Sequence, residues 1–475
     1  MHRRNFLKAG TATLSALATM APKAVAQSTA DVRIELAIRD TNVEMVDGTA
    51  VRMLGYQLVR YACRSGGAAR SAECGQAWVP GPVLRVTQGQ RVTVVVHNFR
   101  PEPHGFEITG IPSSRIVLAG GSAAGPGVGE ATFTAADCGT YLYHDASHNG
   151  GRSPLYRILG LHGAFVIQPD YAALRRSGDV VTPYGGAAPE KLKSLFRTLA
   201  DPAAFLAKFP QLRGVYYPGV WRPVEDLADE YGKQEKVWII SQVDPRLSAL
   251  IDDSGINASP LTTNLADSFE PRYFTMNGRS GFDLVDGDDV VVKARVGEPT
   301  LIRTLNAGLA HHAMHIHGNH IYEIAEAELR LETVTPPATS STLSRSQTST
   351  SAVRSFPFSR AVDSGAVIVR PAVFERDVWP MYPMQRKDVL LPLQVPPDIP
   401  VGQFDEMARR NVFIDHGTEY DSTREPFPLR YPVHCHCEMS QTAGGGNYPQ
   451  GLTTHWEIIG GPQTVAATAS TSGQG

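Results

Sequence analysis

The stretch Pro80-Gly81-Pro82-Val83-Leu84-Arg85-Val86-Thr87-Gln88-Gly89-Gln90-Arg91-Val92-Thr93-Val94-Val95-Val96 decides the fold class. Pro80-Gly81-Pro82 turns the chain into a short apolar run, and Gly89-Gln90 turns it again into a second run rich in valine. Proline presets φ for a turn and glycine tolerates positive φ, while β-branched residues suit a pleated, half-buried surface. Strands of roughly four to eight residues between such turns describe a sandwich or barrel. Upstream, Val32 to Ile38 alternates apolar and polar residues, as a strand with one buried face does. Downstream, Thr140-Tyr141-Leu142-Tyr143-His144 and His162-Gly163-Ala164-Phe165-Val166-Ile167 close a first unit. Lys236-Val237-Trp238-Ile239-Ile240 restarts the pattern, Thr300 to Asn306 continues it, and Thr454 to Ile459 ends it. The expected class is all-β.

At 475 residues the chain is too long for one ordinary core. Two or three domains are expected, and strand-rich units run over 28–170 and 236–461. Residues 171–235 are more charged, with helix formers from Ala187 to Ala203, and read as a linker or accessory segment. Within the second domain, 333–352 is rich in Ser, Thr and Pro and is expected to be an inserted surface loop; 462–475 is a tail. The formal net charge is -3 and no strong basic stretch occurs, which argues against a nucleic-acid partner.

Residues 1–27 stand apart from the fold. Arg3-Arg4-Asn5-Phe6-Leu7-Lys8, the mild apolar run Ala9 to Met20, and Ala24-Val25-Ala26 resemble a twin-arginine export signal with its cleavage site. That route carries folded proteins, so a periplasmic or secreted location is expected, with any cofactor fixed before export. No later window reaches about 18 apolar residues, and no stable membrane span is expected. Cys63 and Cys74 flank a Gly/Ala/Ser loop and form either a disulfide or two free thiols; Cys138 is expected to be buried.

Two histidine clusters point to chemistry. His312-Ala313-Met314-His315-Ile316-His317-Gly318 lies more than a hundred residues before His434-Cys435-His436-Cys437. Histidines two positions apart on a strand share a face. His315, His317, His434 and His436, converging from two strands, would hold two or three copper or zinc ions. Cys435 would point to the opposite face, towards a second site. Four buried structural imidazoles would each need hydrogen-bond partners, which makes that reading the weaker one.

These segments resemble the third and fourth histidine motifs of the multicopper oxidases, proteins built from cupredoxin-like Greek-key β-sandwich domains. The resemblance implies a blue copper that takes electrons from a substrate and a trinuclear copper cluster where dioxygen becomes water. Carried over, His312 and Cys435 match blue-copper ligands, His315 a ligand of the lone copper of the cluster, and His317, His434 and His436 ligands of its coupled pair. His104-Gly105 looks like the end of the first motif and Tyr143-His144 like the start of the second. Two-domain relatives resemble trimers whose cluster lies between subunits, so a homotrimer is implied, as are dioxygen and a small reductant, phenolic, amine or metal ion.

The chain departs from that pattern at several positions. Glu102 stands where the first motif would carry its leading histidine, and Ala146 where the second would carry another, with His148 two positions on. Ser440 stands where a second blue-copper histidine is expected, and Gly445 where an axial methionine is usual. Met439, Cys437 and His455 are the remaining groups near that site. Glu102 reads as a replacement ligand, a proton donor, or a surface glutamate; Asp145 and Glu438 are the nearest further acids that would deliver protons to dioxygen. His148 reads as a ligand or as part of an exposed polar loop, and His104 and His144 as ligands or loop hydrogen-bonding groups. His162 would orient a ligand from behind, and His311 and His320 are expected behind the ligands or in solvent. An inert buried thiol is the competing reading of Cys435. The corresponding alternative function is a catalytically silent or non-blue relative that binds, scaffolds or handles copper.

Overall fold

The computed structural model describes residues 31–65, 68–70, 77–147, 154–201, 203–204, 207, 221, 223, 234–285, 287–294, 298–334, 358–392 and 428–459. The export-signal segment, Cys74 and so the Cys63–Cys74 pairing, His148, nearly all of the 333–352 loop and the tail lie outside the described residues.

Among the described residues ten strands build the N-terminal unit: β1 (Asp31–Glu44), β2 (Ala50–Ser65), β3 (Ala68–Arg70), β4 (Leu84–Thr87), β5 (Arg91–Asn98), β6 (His104–Ile108), β7 (Ile111–Leu118), β8 (Gly127–Thr134), β9 (Gly139–His144) and β10 (His162–Gln168). They form two sheets in the orders β3-β2-β1-β5-β8 and β4-β10-β9-β6-β7. The alternation read in the sequence is what fills the space between them. Val32, Ile34, Leu36 and Ile38 from β1 and Val92, Val94 and Val96 from β5 meet Phe106, Tyr141, Tyr143 and Phe165 from the other sheet. β1 pairs antiparallel with β2 but parallel with the sequence-distant β5, so the sheet is assembled through long-range connections.

The C-terminal unit contains β11 (Glu235–Val243), a hairpin of β12 (Ile251–Asp252) and β13 (Gly255–Ile256), β14 (Tyr273–Met276), β15 (Val292–Ala294), β16 (Thr300–Asn306), β17 (His312–Ile316), β18 (Ile321–Val334), β19 (Phe358–Arg376), β20 (Val378–Met381), β21 (Arg386–Leu391), β22 (Leu429–Cys435) and β23 (Thr453–Ile458). Its two larger sheets run β14-β11-β16-β21-β18-β19 and β15-β23-β22-β17-β20. Between them lie Trp238 and Trp379, stacked at 6.4 Å, with Trp456, Met314, Ile316, Val433 and Cys435.

Among the described residues helix is confined to short pieces. α1 (Leu155–Ile158) lies in the β9–β10 connection, and α2 (Tyr171–Ser177) and α3 (Glu190–Ala200) occupy the expected linker. Asp170 accepts from the Ala173 backbone N–H to cap α2, and Gly178, at φ 74, ends it in the left-handed conformation that glycine favours. Leu174, Leu192, Phe196 and Leu199 bury themselves in the C-terminal core, so this segment packs as part of that unit rather than hanging between two. Among the described residues no helix is long and apolar enough to cross a membrane.

The two units meet over Leu142 and Ala164 on one side and Val237, Ile239, Leu305 and Ala307 on the other. Beside this patch runs a buried charge network. Glu235 accepts from Arg85 and Arg303 at 2.7 Å each, and Asp388 accepts from Arg303, Thr140 and Tyr184. It ties both units and the α2–α3 segment together.

Candidate metal centre

β17 and β22 run antiparallel, with Met314 opposite Cys435 and His315 opposite His434. Directly opposed residues share a face of the sheet, and the diagonal neighbours two positions away are within reach of long side chains. The register therefore sorts the two motifs. Met314, Ile316, Val433 and Cys435 enter the core, joined by the buried His312, while His315, His317, His434 and His436 gather on the opposite, partly exposed face.

On that outer face the four rings touch. His317 Nε2 lies 3.0 Å from His434 Nε2, and His436 Nε2 lies 2.9 Å from His315 Nδ1. Ring centroids of neighbouring pairs are 4.3 Å (His315–His317), 4.6 Å (His315–His436), 5.1 Å (His315–His434) and 5.4 Å (His434–His436). Ligand nitrogens of His315, His317 and His434 all fall within 4.8 Å of one another, and no other such group of three occurs among the described residues. Two lone pairs facing each other at 3 Å repel unless a proton or a metal ion lies between them. Burial first, then the neighbouring rings, push the pKa of His315 below the ordinary histidine value; burial and the His317 and His436 rings act in the same direction on His434. Neutral imidazoles are the form a metal needs. Two nitrogens bound at right angles to one ion, at about 2.0–2.1 Å each, lie about 2.9 Å apart, a spacing suited to tetragonal copper.

Asp377 stands beside the cluster, its Oδ2 3.6 Å from His315 Nε2. The sequence reading missed it, because only the pairing of β17 with β20, His315 opposite Val378, brings residue 377 alongside. Glu438, the acid expected near this face, is exposed in the short turn Glu438–Gln441.

The inner face has a different chemistry. Cys435 Sγ is fully buried and faces His312 Nδ1 at 3.5 Å. The backbone N–H groups of Ala313 and Cys437 both donate to the same sulfur at 3.4 Å. His312 Nε2 meets the Gln242 side-chain amide at 2.6 Å, and burial lowers the His312 pKa to about 4. Gln242, an uncharged polar residue near the end of β11, was not singled out by the sequence reading. The groups considered as completing this site are engaged elsewhere. Ser440 donates to the Cys437 carbonyl at 2.7 Å, Met439 is 63% exposed, His455 is held by Glu457 at 2.8 Å, and Cys437 Sγ donates to the His311 carbonyl at 3.4 Å. His311 and His320 are exposed, His311 packing on Tyr382 and His320 lying 3.6 Å from Glu375.

In the N-terminal unit His104 is wholly buried, and carboxylates stand at both ring nitrogens: Asp145 at 2.6 Å from Nδ1 and Glu102 at 3.3 Å from Nε2. Burial opposes protonation there, but the two carboxylates outweigh it and raise the His104 pKa. Glu102 is also held by Arg100 at 3.1 Å, so it is not a loose surface glutamate. His144 pairs in register with Glu107 and His162; its Nε2 lies 3.4 Å from Glu107, and burial lowers its pKa to about 3. His162 donates from Nδ1 to the Arg157 carbonyl at 2.7 Å, with its own pKa lowered to about 4 by burial. Within one chain, then, neither His104 nor His144 joins the group of ligand atoms at His315, His317 and His434.

Residues 65–171 match the sequence family described as multicopper oxidase. The matched stretch spans β6 and β9 and so includes His104 and His144. No curated protein matches the sequence. Among solved structures, the blue copper oxidase from Nitrosomonas europaea is 16% identical over 90% of this chain and 85% of that one, with a TM-score of 0.46. The multicopper oxidase mgLAC is 15% identical over 92% and 89%, at 0.47. The copper nitrite reductase from Nitrosomonas europaea is 13% identical over 90% and 93%, at 0.44. The donor set of the outer face fits the copper that the family implies: four imidazoles with their nitrogens in facing pairs. The inner pocket, with one thiol and one imidazole, does not carry the ligands of a blue multicopper oxidase site.

Proposed function

We propose that the chain is a copper-dependent oxidoreductase that takes electrons from a small reductant, phenolic, amine or metal ion, and passes them to dioxygen at His315, His317, His434 and His436, with several copper ions per active unit. The observation that carries this reading is the pair of facing nitrogens at 2.9 and 3.0 Å in one four-ring cluster. Copper, when bound, would supply one-electron exchange between donor and oxygen. The protein's own part is to hold the rings fixed through the β17–β22 register, and to keep a carboxylate, Asp377, next to His315. Within one chain His317 and His436 are exposed, which leaves this face open to a small donor or to a neighbouring copy. A homotrimer in which a neighbouring copy covers the cluster would exclude bulk water from it. Export through the twin-arginine signal would deliver the metal already bound.

The test is reconstitution of the full chain with copper, followed by oxygen uptake with a phenolic donor. Uptake that depends on copper and vanishes in His315→Ala and His434→Ala supports the proposal; tight copper with no uptake from any donor contradicts it. That second outcome would favour a non-blue, copper-handling role, to which the incomplete inner pocket around Cys435 lends support.

A further inference from the structure

The inner pocket lies where the family would place a blue copper, and it is closed to that ion by more than the serine at position 440. Gln242 reaches from β11 over Gly308, and its Oε1 accepts from the backbone N–H groups of Leu309 at 2.7 Å and Ala310 at 3.2 Å. Those two donors fix which way the amide is turned, because the opposite orientation would set its NH2 against two N–H groups. The amide nitrogen must therefore point at His312 Nε2, 2.6 Å away. A side-chain NH2 can only donate, so Nε2 must carry a lone pair and the ring proton must sit on Nδ1. Nδ1 is the nitrogen that faces Cys435 Sγ at 3.5 Å.

We infer that Gln242 locks His312 in the Nδ1–H tautomer and thereby turns the His312–Cys435 pair into a hydrogen-bonded structural contact from which copper is excluded. The sulfur then has three N–H groups directed at it, from Ala313, Cys437 and His312. To bind a metal between sulfur and ring, the proton would have to move to Nε2. There it would confront the Gln242 amide, whose reversal would strip Leu309 and Ala310 of their acceptor. Gln242 acts through His312, so it is a positioning residue; a carboxylate in its place would reverse the logic, accepting from Nε2–H while still accepting from the two backbone groups. The inference does not depend on the outer cluster holding copper.

The test reads the tautomer directly. Long-range ¹H–¹⁵N correlation on the metal-free full chain, labelled at histidine and assigned with a His312→Asn variant, should show His312 protonated at Nδ1; protonation at Nε2 overturns the inference. In Gln242→Glu the proton should move to Nε2, and an unchanged tautomer would count against Gln242 as the lock. The wild-type chain titrated with copper should show no intense visible thiolate-to-copper band, and its spectrum should match that of Cys435→Ser. A strong band in wild type that Cys435→Ser removes would refute exclusion of the metal. Copper bound without such a band leaves the proposed oxidoreductase standing, whereas failure to bind any copper removes that proposal but not the tautomer lock.

Discussion

Replacing Glu235 by Gln should loosen the junction between the two units more than any surface change. Glu235 is 1% exposed and sits between the guanidinium groups of Arg85 and Arg303, each at 2.7 Å. Burial opposes its charge, but the two guanidiniums win and hold its carboxyl at about 2, against an ordinary 4.5. A carboxyl displaced that far is favoured in its charged form by roughly 3 kcal/mol. Removing one partner from a buried ion network costs about 3–5 kcal/mol, so two separate lines agree on the size. Arg303 keeps Asp388 and Thr140 after the change, whereas the Arg85 guanidinium loses its Glu235 partner. Urea unfolding of wild type and Glu235→Gln, followed by tryptophan fluorescence, should therefore show a loss near 3 kcal/mol. Much of the loss should come from the wild-type chain being more stable above the ordinary carboxyl pKa, with the advantage fading as pH falls from about 4.5 towards about 2. A loss below about 1 kcal/mol at neutral pH would refute the view that this network is a paired, desolvated clamp.

Other consequences follow from the same packing. His144 and His162 are buried with pKa values lowered to about 3 and about 4, so the unfolded chain takes up their protons first as pH falls below about 6.5. Stability should drop through that window by up to about 1.4 kcal/mol per pH unit for each histidine, and His162→Gln should make the decline in melting temperature shallower. His317→Ala removes one member of the 3.0 Å nitrogen pair and should cut copper retention at least about tenfold while leaving the fold intact, as equilibrium dialysis and circular dichroism would report. Burial pushes the Cys138 thiol up to about 12, so it should resist alkylation at pH 8 in the native chain and react once urea unfolds it; rapid native labelling would contradict its placement.

Much of the fold was legible because β-sandwiches write their core into alternation. Val92, Val94 and Val96 point inwards from β5 as a period of two requires, and the turns at Pro80 to Pro82 and at Gly89 fall between strands. The helix formers of Ala187 to Ala203 did mark helix α3, but nothing in their composition told which unit their apolar face would join. The outer histidine face was readable for the same reason as the core: spacing by two fixes the face. The partners that give each histidine its character were not readable. Asp145 and Glu102 at the His104 ring, Asp377 beside His315, and Gln242 against His312 all depend on which strand lies next to which. Residues 242 and 312 belong to two different sheets, and how those sheets face each other leaves no local trace in the sequence.

The central claim is that imidazoles from β17 and β22 share copper, and pulsed electron paramagnetic resonance on the copper-loaded full chain tests it most directly. Modulations from the remote nitrogens of several imidazoles, lost when His315, His317, His434 and His436 are replaced together, are the predicted result. A copper signal without imidazole modulations, or one that survives the fourfold replacement, would contradict it.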